Sequence, residues 1–149
     1  MLGKLVIRNY ALIRHIEIDF NTGLNVLTGE TGAGKSILID AMNLLLGERL
    51  ESGMIPSGNK KCIVESCIRI QPDNEVIDFL KNADYDVEDE IIIRREITSA
   101  GKSRSFLNDT PVNLSFLKQL SSRLVDLHQQ FDHVEMNHDD FQRNVLDAI

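Results

Sequence analysis

The sequence contains no tryptophan, two cysteines and three prolines in 149 residues, and aromatic residues make up 5% of it. It has no apolar run long enough to span a membrane, and its first residues, Met1–Lys4, do not begin a signal peptide. It also has no internal repeats and no low-complexity segments. The lack of a membrane-spanning run and of a signal peptide excludes membrane-spanning and secreted classes of protein. We therefore expect a cytoplasmic chain with no membrane partner.

The two cysteines are not expected to form a shared site. Cys62 and Cys67 lie on a predicted strand at an odd separation, which places their side chains on opposite faces. A disulfide or a common metal is therefore not expected, and both cysteines are typical of reduced cytosolic thiols.

Basic residues are in the minority. The chain has 16 Lys and Arg against 23 Asp and Glu, a formal net charge of −7. Strong nucleic-acid binding needs clustered basic side chains, so this segment alone is not expected to be a strong nucleic-acid binder. Hydrophobic content of 42% and charged content of 26% are ordinary for one globular domain or part of one.

Hydrophobic periodicity predicts alternating strands and helices. Ile16–Phe20 alternates cleanly, with Ile16, Ile18 and Phe20 inward, and Asn21–Gly23 forms a tight turn. The other predicted strands are Leu5–Ile7, a buried Leu24–Leu27, Cys62–Ile70, Glu90–Ile97 and Ser105–Leu107, the last two joined as a hairpin. The predicted helices are a buried Ile37–Leu46 ended by Gly47, a short one near Asn74–Lys81, one capped by Asn113, and a last one carrying Phe141 and Val145.

The segment between the predicted strand Leu24–Leu27 and helix Ile37–Leu46 matches G-x-x-x-x-G-K-[ST] at every fixed position. Its residues are Gly29, Glu30, Thr31, Gly32, Ala33, Gly34, Lys35 and Ser36. The glycines allow successive N–H groups to face one set of phosphate oxygens, and the helix adds its positive dipole end. Lys35 is expected to reach the β- and γ-phosphates and the Ser36 hydroxyl to join a magnesium shell. The pattern predicts binding of a nucleoside triphosphate; the alternative is a glycine-rich turn that only links strand to helix.

The residues around this phosphate-binding loop (the P-loop) indicate which class of P-loop protein the chain belongs to. A β-rich start before the loop is not typical of small-molecule kinases or GTPases. It resembles instead the N-terminal head of the SMC-like ATPases and, within them, the bacterial RecN family. The stretches that carry the resemblance are Leu5–Ile13, Phe20, Gly23–Ser36, Ser36–Ala41, Leu46–Gly47, Thr28–Gly32, Arg94–Ile97, Gly101–Asn108 and Leu124–Gln130.

This resemblance implies an α/β P-loop NTPase fold of ABC/SMC head type, with a mixed sheet around the P-loop helix and an antiparallel β-rich subdomain. Residues 1–149 would form the N-terminal part of the head, without the coiled coil and without the C-terminal half-head that holds the signature motif and the Walker B residues. The implied protein is an ATPase of recombinational double-strand break repair that uses ATP and Mg²⁺. Its implied partners are DNA, its own C-terminal half-head and a second head in a homodimer, on the nucleoid in the cytoplasm.

Two other functions remain open. One is an ATP-gated DNA clamp or scaffold with little turnover, and the other is a stand-alone P-loop phosphotransferase. If the chain is the N-terminal part of a head, it is expected to lack ATP hydrolysis by itself.

The resemblance also implies a sensor glutamine. ABC-type heads place a glutamine at a strand end, where it touches the magnesium and the attacking water, and the motif assigns this role to Gln130. Gln129 is the rival assignment, because it stands where the family usually has glycine. Asp126 as a Walker B aspartate is less favoured, because Arg123 interrupts the buried strand that such a motif requires.

Other candidate positions have simpler explanations beside the functional one. Arg8 and Asn9 stand where family members contact the base or ribose. The one local basic cluster consists of Lys102 and Arg104 with Arg94 and Arg95. It would either contact DNA or phosphate, or be a solvated hairpin with no such contact. The histidines His128, His133 and His138 lack metal-ligand spacing, so no zinc site is predicted.

Overall fold

The computed structural model describes residues 1–28, 34–50, 53–56, 58, 61–71 and 75–125. These residues form one six-stranded sheet in the order β2-β1-β3-β4-β5-β6, with every neighbouring pair antiparallel. The strands are β1 (Leu2–Tyr10), β2 (Ile13–Asp19), β3 (Lys61–Arg69), β4 (Glu90–Thr98), β5 (Ser103–Leu107) and β6 (Thr110–Val112). The helices are α1 (Gly34–Leu45), α2 (Glu75–Asn82) and α3 (Leu114–Leu124).

The sheet has an inner face that carries the helices and an outer face that carries charge. On β3 the even-numbered residues from Cys62 to Ile68 are buried while the residues between them are half-buried, as strand alternation requires. Side chains of α1, α2 and α3 enter the same core cluster as the inner residues of the sheet. On the edge strand β2, Ile16 and Ile18 pair with Ile7 and Leu5 of β1, so the predicted inward set is confirmed.

A two-residue turn joins β5 to β6. Asn108 and Asp109 both have positive φ, 45° and 64°, which is the conformation of a type I′ hairpin turn. The Asn108 side chain also accepts a hydrogen bond from the Ile92 N–H at 2.7 Å, which joins the turn to the first half of β4. Asparagine and aspartate tolerate this backbone better than other side chains, so the hairpin follows from local sequence.

Helix α3 begins where its sequence predicts, and aromatic side chains pack it against α2. The Asn113 side chain accepts a hydrogen bond from the Phe116 N–H at 2.7 Å, which satisfies one of the unpaired first-turn donors. Phe116 stacks on Phe79 of α2 with ring centroids 5.1 Å apart, and Tyr85 lies 5.0 Å from the same ring. These aromatic contacts join the two helices on the inner face.

Two predictions about burial near the P-loop are wrong. Residues Leu24–Leu27 form no strand, and Leu24, Val26 and Leu27 are 89%, 72% and 53% exposed. Their apolar pattern predicted burial, but a strand also needs backbone partners, and no described strand pairs with this segment. Helix α1 is not buried all round either, because Ile39 is 42% exposed.

The end of α1 and the two thiols agree with prediction. Gly47 has φ +109°, and a Cβ atom there would lie 2.6 Å from the Lys118 side chain, so this turn requires glycine. Cys62 is buried on the inner face and Cys67 is half-buried on the outer face. Burial raises the pKa of Cys62 to about 11, so its thiol stays protonated and unreactive at neutral pH. Across the described helices, none is long and apolar enough to cross a membrane.

Candidate phosphate-binding site

The described part of the phosphate-binding motif forms the first turn of α1. Gly34 is the first residue of the helix, followed by half-buried Lys35 and exposed Ser36. The first N–H groups of a helix have no intrahelical acceptor, and the helix dipole places partial positive charge beside them. No acidic residue lies in this turn to compete with an anion. The turn therefore has the donors and the charge that a phosphate group requires.

The motif residues Gly29, Glu30, Thr31, Gly32 and Ala33 lie outside the described residues. The segment leading to them is described, and it begins with a closed loop. The Asn25 side chain accepts from the Asn21 N–H at 3.1 Å and donates to the Asn21 carbonyl at 2.9 Å. Gly23 within this loop has φ +89°, so the predicted tight turn is confirmed.

Arg95 holds the opposite end of α1, a role that its place in a basic cluster did not predict. It is 3% exposed on the inner face of β4, and its Nη1 donates to the carbonyls of Leu44 and Glu48, both at 2.6 Å. Its Nη2 donates to the Ser103 hydroxyl at 2.7 Å. Burial lowers the pKa of the guanidinium, yet an arginine stays cationic in proteins. Strand alternation was the available signal, because neighbours on a strand point to opposite faces.

The predicted basic cluster is divided by the same alternation. Arg94 lies on the outer face, where its guanidinium is 3.0 Å from Asp109, 3.6 Å from Glu96 and 3.7 Å from Glu65. It also covers the ring of Phe106 at 4.8 Å. The cluster as predicted is therefore wrong, since Arg94 is neutralised by carboxylates and Arg95 faces the core.

Lys102 and Arg104, the other two members of that cluster, are exposed on the β4–β5 hairpin. A role for them in DNA contact stays a prediction.

Arg8 and Asn9 lie at the end of β1. Arg8 is exposed, and it follows the inward-facing Ile7, so its side chain lies on the outer face. Asn9 has φ +53°, and its side-chain amide donates to the Lys61 carbonyl at 3.1 Å. Their contact with a base or ribose stays a prediction.

The candidates after Val125 lie outside the described residues. These are Asp126, His128, Gln129, Gln130, His133, His138 and the last predicted helix. Within the described ranges, no group of three or more His, Cys, Asp or Glu side chains is placed to hold a metal ion. The one described candidate for a magnesium ligand is the Ser36 hydroxyl. Its exposed position in the first turn of α1 fits an ion shared with a bound phosphate.

Comparison with known proteins places this chain in a family. The AAA domain family matches residues 4–147. The DNA repair protein RecN of Vibrio cholerae is 37% identical over 147 residues, covering 99% of this chain and 26% of the relative. RecN of Bacillus subtilis is 38% identical over 150 residues, covering 100% of this chain and 26% of the relative. The chain thus spans about a quarter of the length of these curated relatives.

A solved structure supports the fold. A chain from "Structural biochemistry of ATP-driven dimerization and DNA stimulated activation of SMC ATPases" aligns with a TM-score of 0.69 at 20% identity. The alignment covers 99% of this chain and 97% of that chain. The P-loop NTPase fold of SMC-head type is therefore confirmed, and the described strands supply its antiparallel sheet. The chain belongs to the AAA domain family, and it is similar over nearly its whole length to RecN proteins.

Proposed function

We propose that this chain is the ATP-binding N-terminal part of the head of a RecN-like ATPase that acts in recombinational repair of DNA double-strand breaks. The observation that carries the proposal is the position of Lys35 and Ser36 in the first turn of α1. A lysine and a hydroxyl there, next to unpaired N–H groups, are the chemistry that a triphosphate and its metal require. The similarity to RecN proteins supports the DNA-repair role.

Each motif residue has a separate part in this proposal. Gly29–Gly34 would surround the phosphates with N–H groups, and Lys35 would neutralise charge on the β- and γ-phosphates. Ser36 and Gln130 would hold Mg²⁺, which when bound supplies positive charge beside the phosphate oxygens. Arg8 and Asn9 would contact the base or ribose. Gln130 would orient the attacking water, with Gln129 as the alternative.

The first proposed partner is inferred from an apolar surface that is exposed in this chain. Leu24, Val26 and Leu27 are exposed immediately before the phosphate-binding loop, where apolar side chains gain free energy by being covered. We propose that the C-terminal half-head of the full-length protein covers them, and that two heads enclose ATP in a homodimer. DNA would bind the full-length protein, which would act on the nucleoid in the cytoplasm.

A second candidate is an ATP-gated DNA clamp or scaffold in which nucleotide controls assembly and little is hydrolysed. The same site geometry serves both functions, because it concerns binding rather than turnover. A stand-alone phosphotransferase is less favoured, because the alignment to RecN proteins spans nearly the whole chain but only about a quarter of theirs.

The test of the proposed function is steady-state ATP hydrolysis by the full-length protein, with and without linear duplex DNA. We expect turnover that rises when DNA is added, since DNA contact would favour the engaged pair of heads. Tight ATP binding with no turnover under either condition would support the clamp instead. No ATP binding at all would contradict both.

Gln130→Ala should separate binding from hydrolysis. If Gln130 contacts the metal and water during reaction, its loss should leave ATP affinity near normal and lower the hydrolysis rate, because such contacts matter most in the transition state. Gln129→Ala is the matched control and should have a much smaller effect. A slow Gln129→Ala beside a normal Gln130→Ala would shift the assignment by one residue, and two normal variants would remove the sensor from this segment.

A further inference from the structure

Arg95 joins three parts of the chain through one buried guanidinium. Its contacts are the Leu44 carbonyl near the end of α1, the Glu48 carbonyl in the loop leaving that helix, and the Ser103 hydroxyl of β5. Arg95 itself belongs to β4, so the helix end is held against two strands of the sheet. The contact lies at the opposite end of α1 from Lys35 and Ser36.

These contacts restrain the helix along its axis. The hydrophobic effect depends little on direction, so apolar contacts do not select particular backbone atoms of a helix. Hydrogen bonds from a planar guanidinium to particular carbonyls are directional, and the two carbonyls accept from the same nitrogen. A cation at a helix C-terminus is also favourable in the field of the helix dipole.

Helix α1 is anchored at this end. Its buried residues are Ala41, Leu44 and Leu45, all in its second half, whereas residues 34–40 are exposed or half-buried. At 1.5 Å per residue, Leu44 lies about 14 Å along the axis from Lys35. Because a short helix moves as a rigid body, an axial shift at Leu44 moves the phosphate-binding turn by a similar distance.

We propose that Arg95 is a positioning residue for nucleotide binding: by holding the carbonyls at the C-terminal end of α1, it sets the position of Lys35 and Ser36 relative to the rest of the site. The inference rests on the proposed function, because it assumes that the first turn of α1 binds ATP phosphates. It assigns to Arg95 a role that requires no contact with the nucleotide.

The test compares Mg-ATP affinity and urea unfolding of the full-length protein in wild type, Arg95→Met and Arg95→Lys. We expect Arg95→Met to raise the dissociation constant for Mg-ATP about tenfold or more, which corresponds to the loss of roughly one charge-assisted phosphate contact. Arg95→Lys keeps a cation that can donate to both carbonyls but lacks the planar guanidinium. Its ATP affinity should therefore lie between those of wild type and Arg95→Met.

Two controls distinguish positioning from general stability. Leu80→Ala weakens the same core from a helix other than α1, and Arg94→Ala removes the neighbouring arginine from the opposite face. Both should keep the dissociation constant within about twofold of wild type, a change too small to be a lost phosphate contact. If Leu80→Ala weakens ATP binding as much as Arg95→Met at equal loss of stability, or if Arg95→Met binds normally, the inference is overturned.

The outcomes also separate this inference from the proposed function. Failure of the wild-type protein to bind ATP overturns both. Normal binding by Arg95→Met, in an experiment where Lys35→Ala loses binding, overturns the positioning role alone. If Arg95→Met does not fold, Arg95→Lys decides: intermediate affinity at wild-type folded fraction supports the inference, and wild-type affinity overturns it.

Discussion

Lys35→Ala in the full-length protein is expected to weaken Mg-ATP binding by about one to two orders of magnitude. The side chain would make charge-assisted contacts with the β- and γ-phosphates, and each such contact contributes roughly 1.5–3 kcal/mol. The residue lies in the first turn of α1 and is only half-buried, so its removal should change nucleotide affinity far more than stability. Isothermal titration with Mg-ATP measures the effect directly.

Lys81→Ala is the matched control for this experiment. Lys81 is an exposed lysine in the last turn of α2, and its removal changes net charge by the same amount. We expect ATP affinity like that of wild type. Equal affinities for Lys35→Ala and the wild-type protein would refute the P-loop assignment and with it the proposed function.

The second large effect concerns turnover. The 149-residue chain by itself is expected to show no ATP hydrolysis above background, because the family resemblance assigns the Walker B glutamate and the signature serine to the C-terminal half-head. Adding that half-head in trans should restore part of the activity of the full-length protein. The added half-head should also cover Leu24, Val26 and Leu27, which are exposed in this chain.

The measurement is a steady-state assay of the purified chain, with Lys35→Ala of the same chain as the background control. Circular dichroism should first establish that the chain is folded. Hydrolysis on the order of 1 per second or faster, lost in Lys35→Ala, would instead support a stand-alone enzyme. Full-length protein that binds ATP without turnover would support the clamp.

Much of the local structure was predictable because it depends on neighbours in sequence. Asn113 caps α3 through the Phe116 N–H three residues away, and Gly47 ends α1 with a backbone that other residues rarely adopt. The odd separation of Cys62 and Cys67 predicts opposite faces, and the alternation of β3 confirms it. Such patterns act within a few residues, where the chain itself supplies both partners.

The errors arose where partners come from elsewhere in the fold. Leu24–Leu27 is as apolar as a buried strand, yet burial requires a neighbouring strand, and none of the described strands pairs with it. The cluster of Arg94, Arg95, Lys102 and Arg104 looked uniform because its members are close in sequence, although adjacent strand residues point in opposite directions. In the folded sheet, the Arg94 side chain lies among carboxylates on the outer face, and the Arg95 side chain points into the core.

The sequence by itself determined the motif from which phosphate binding is predicted, because eight consecutive residues carry its glycines, lysine and hydroxyl. Only the tertiary structure decided what contacts the C-terminal end of α1. The acceptors of Arg95 at Leu44 and Glu48 lie 51 and 47 residues away in sequence and meet it only because α1 packs on the inner face of the sheet. A pairing over that distance leaves no periodic pattern in the chain, since it depends on where folding places two carbonyls relative to one guanidinium.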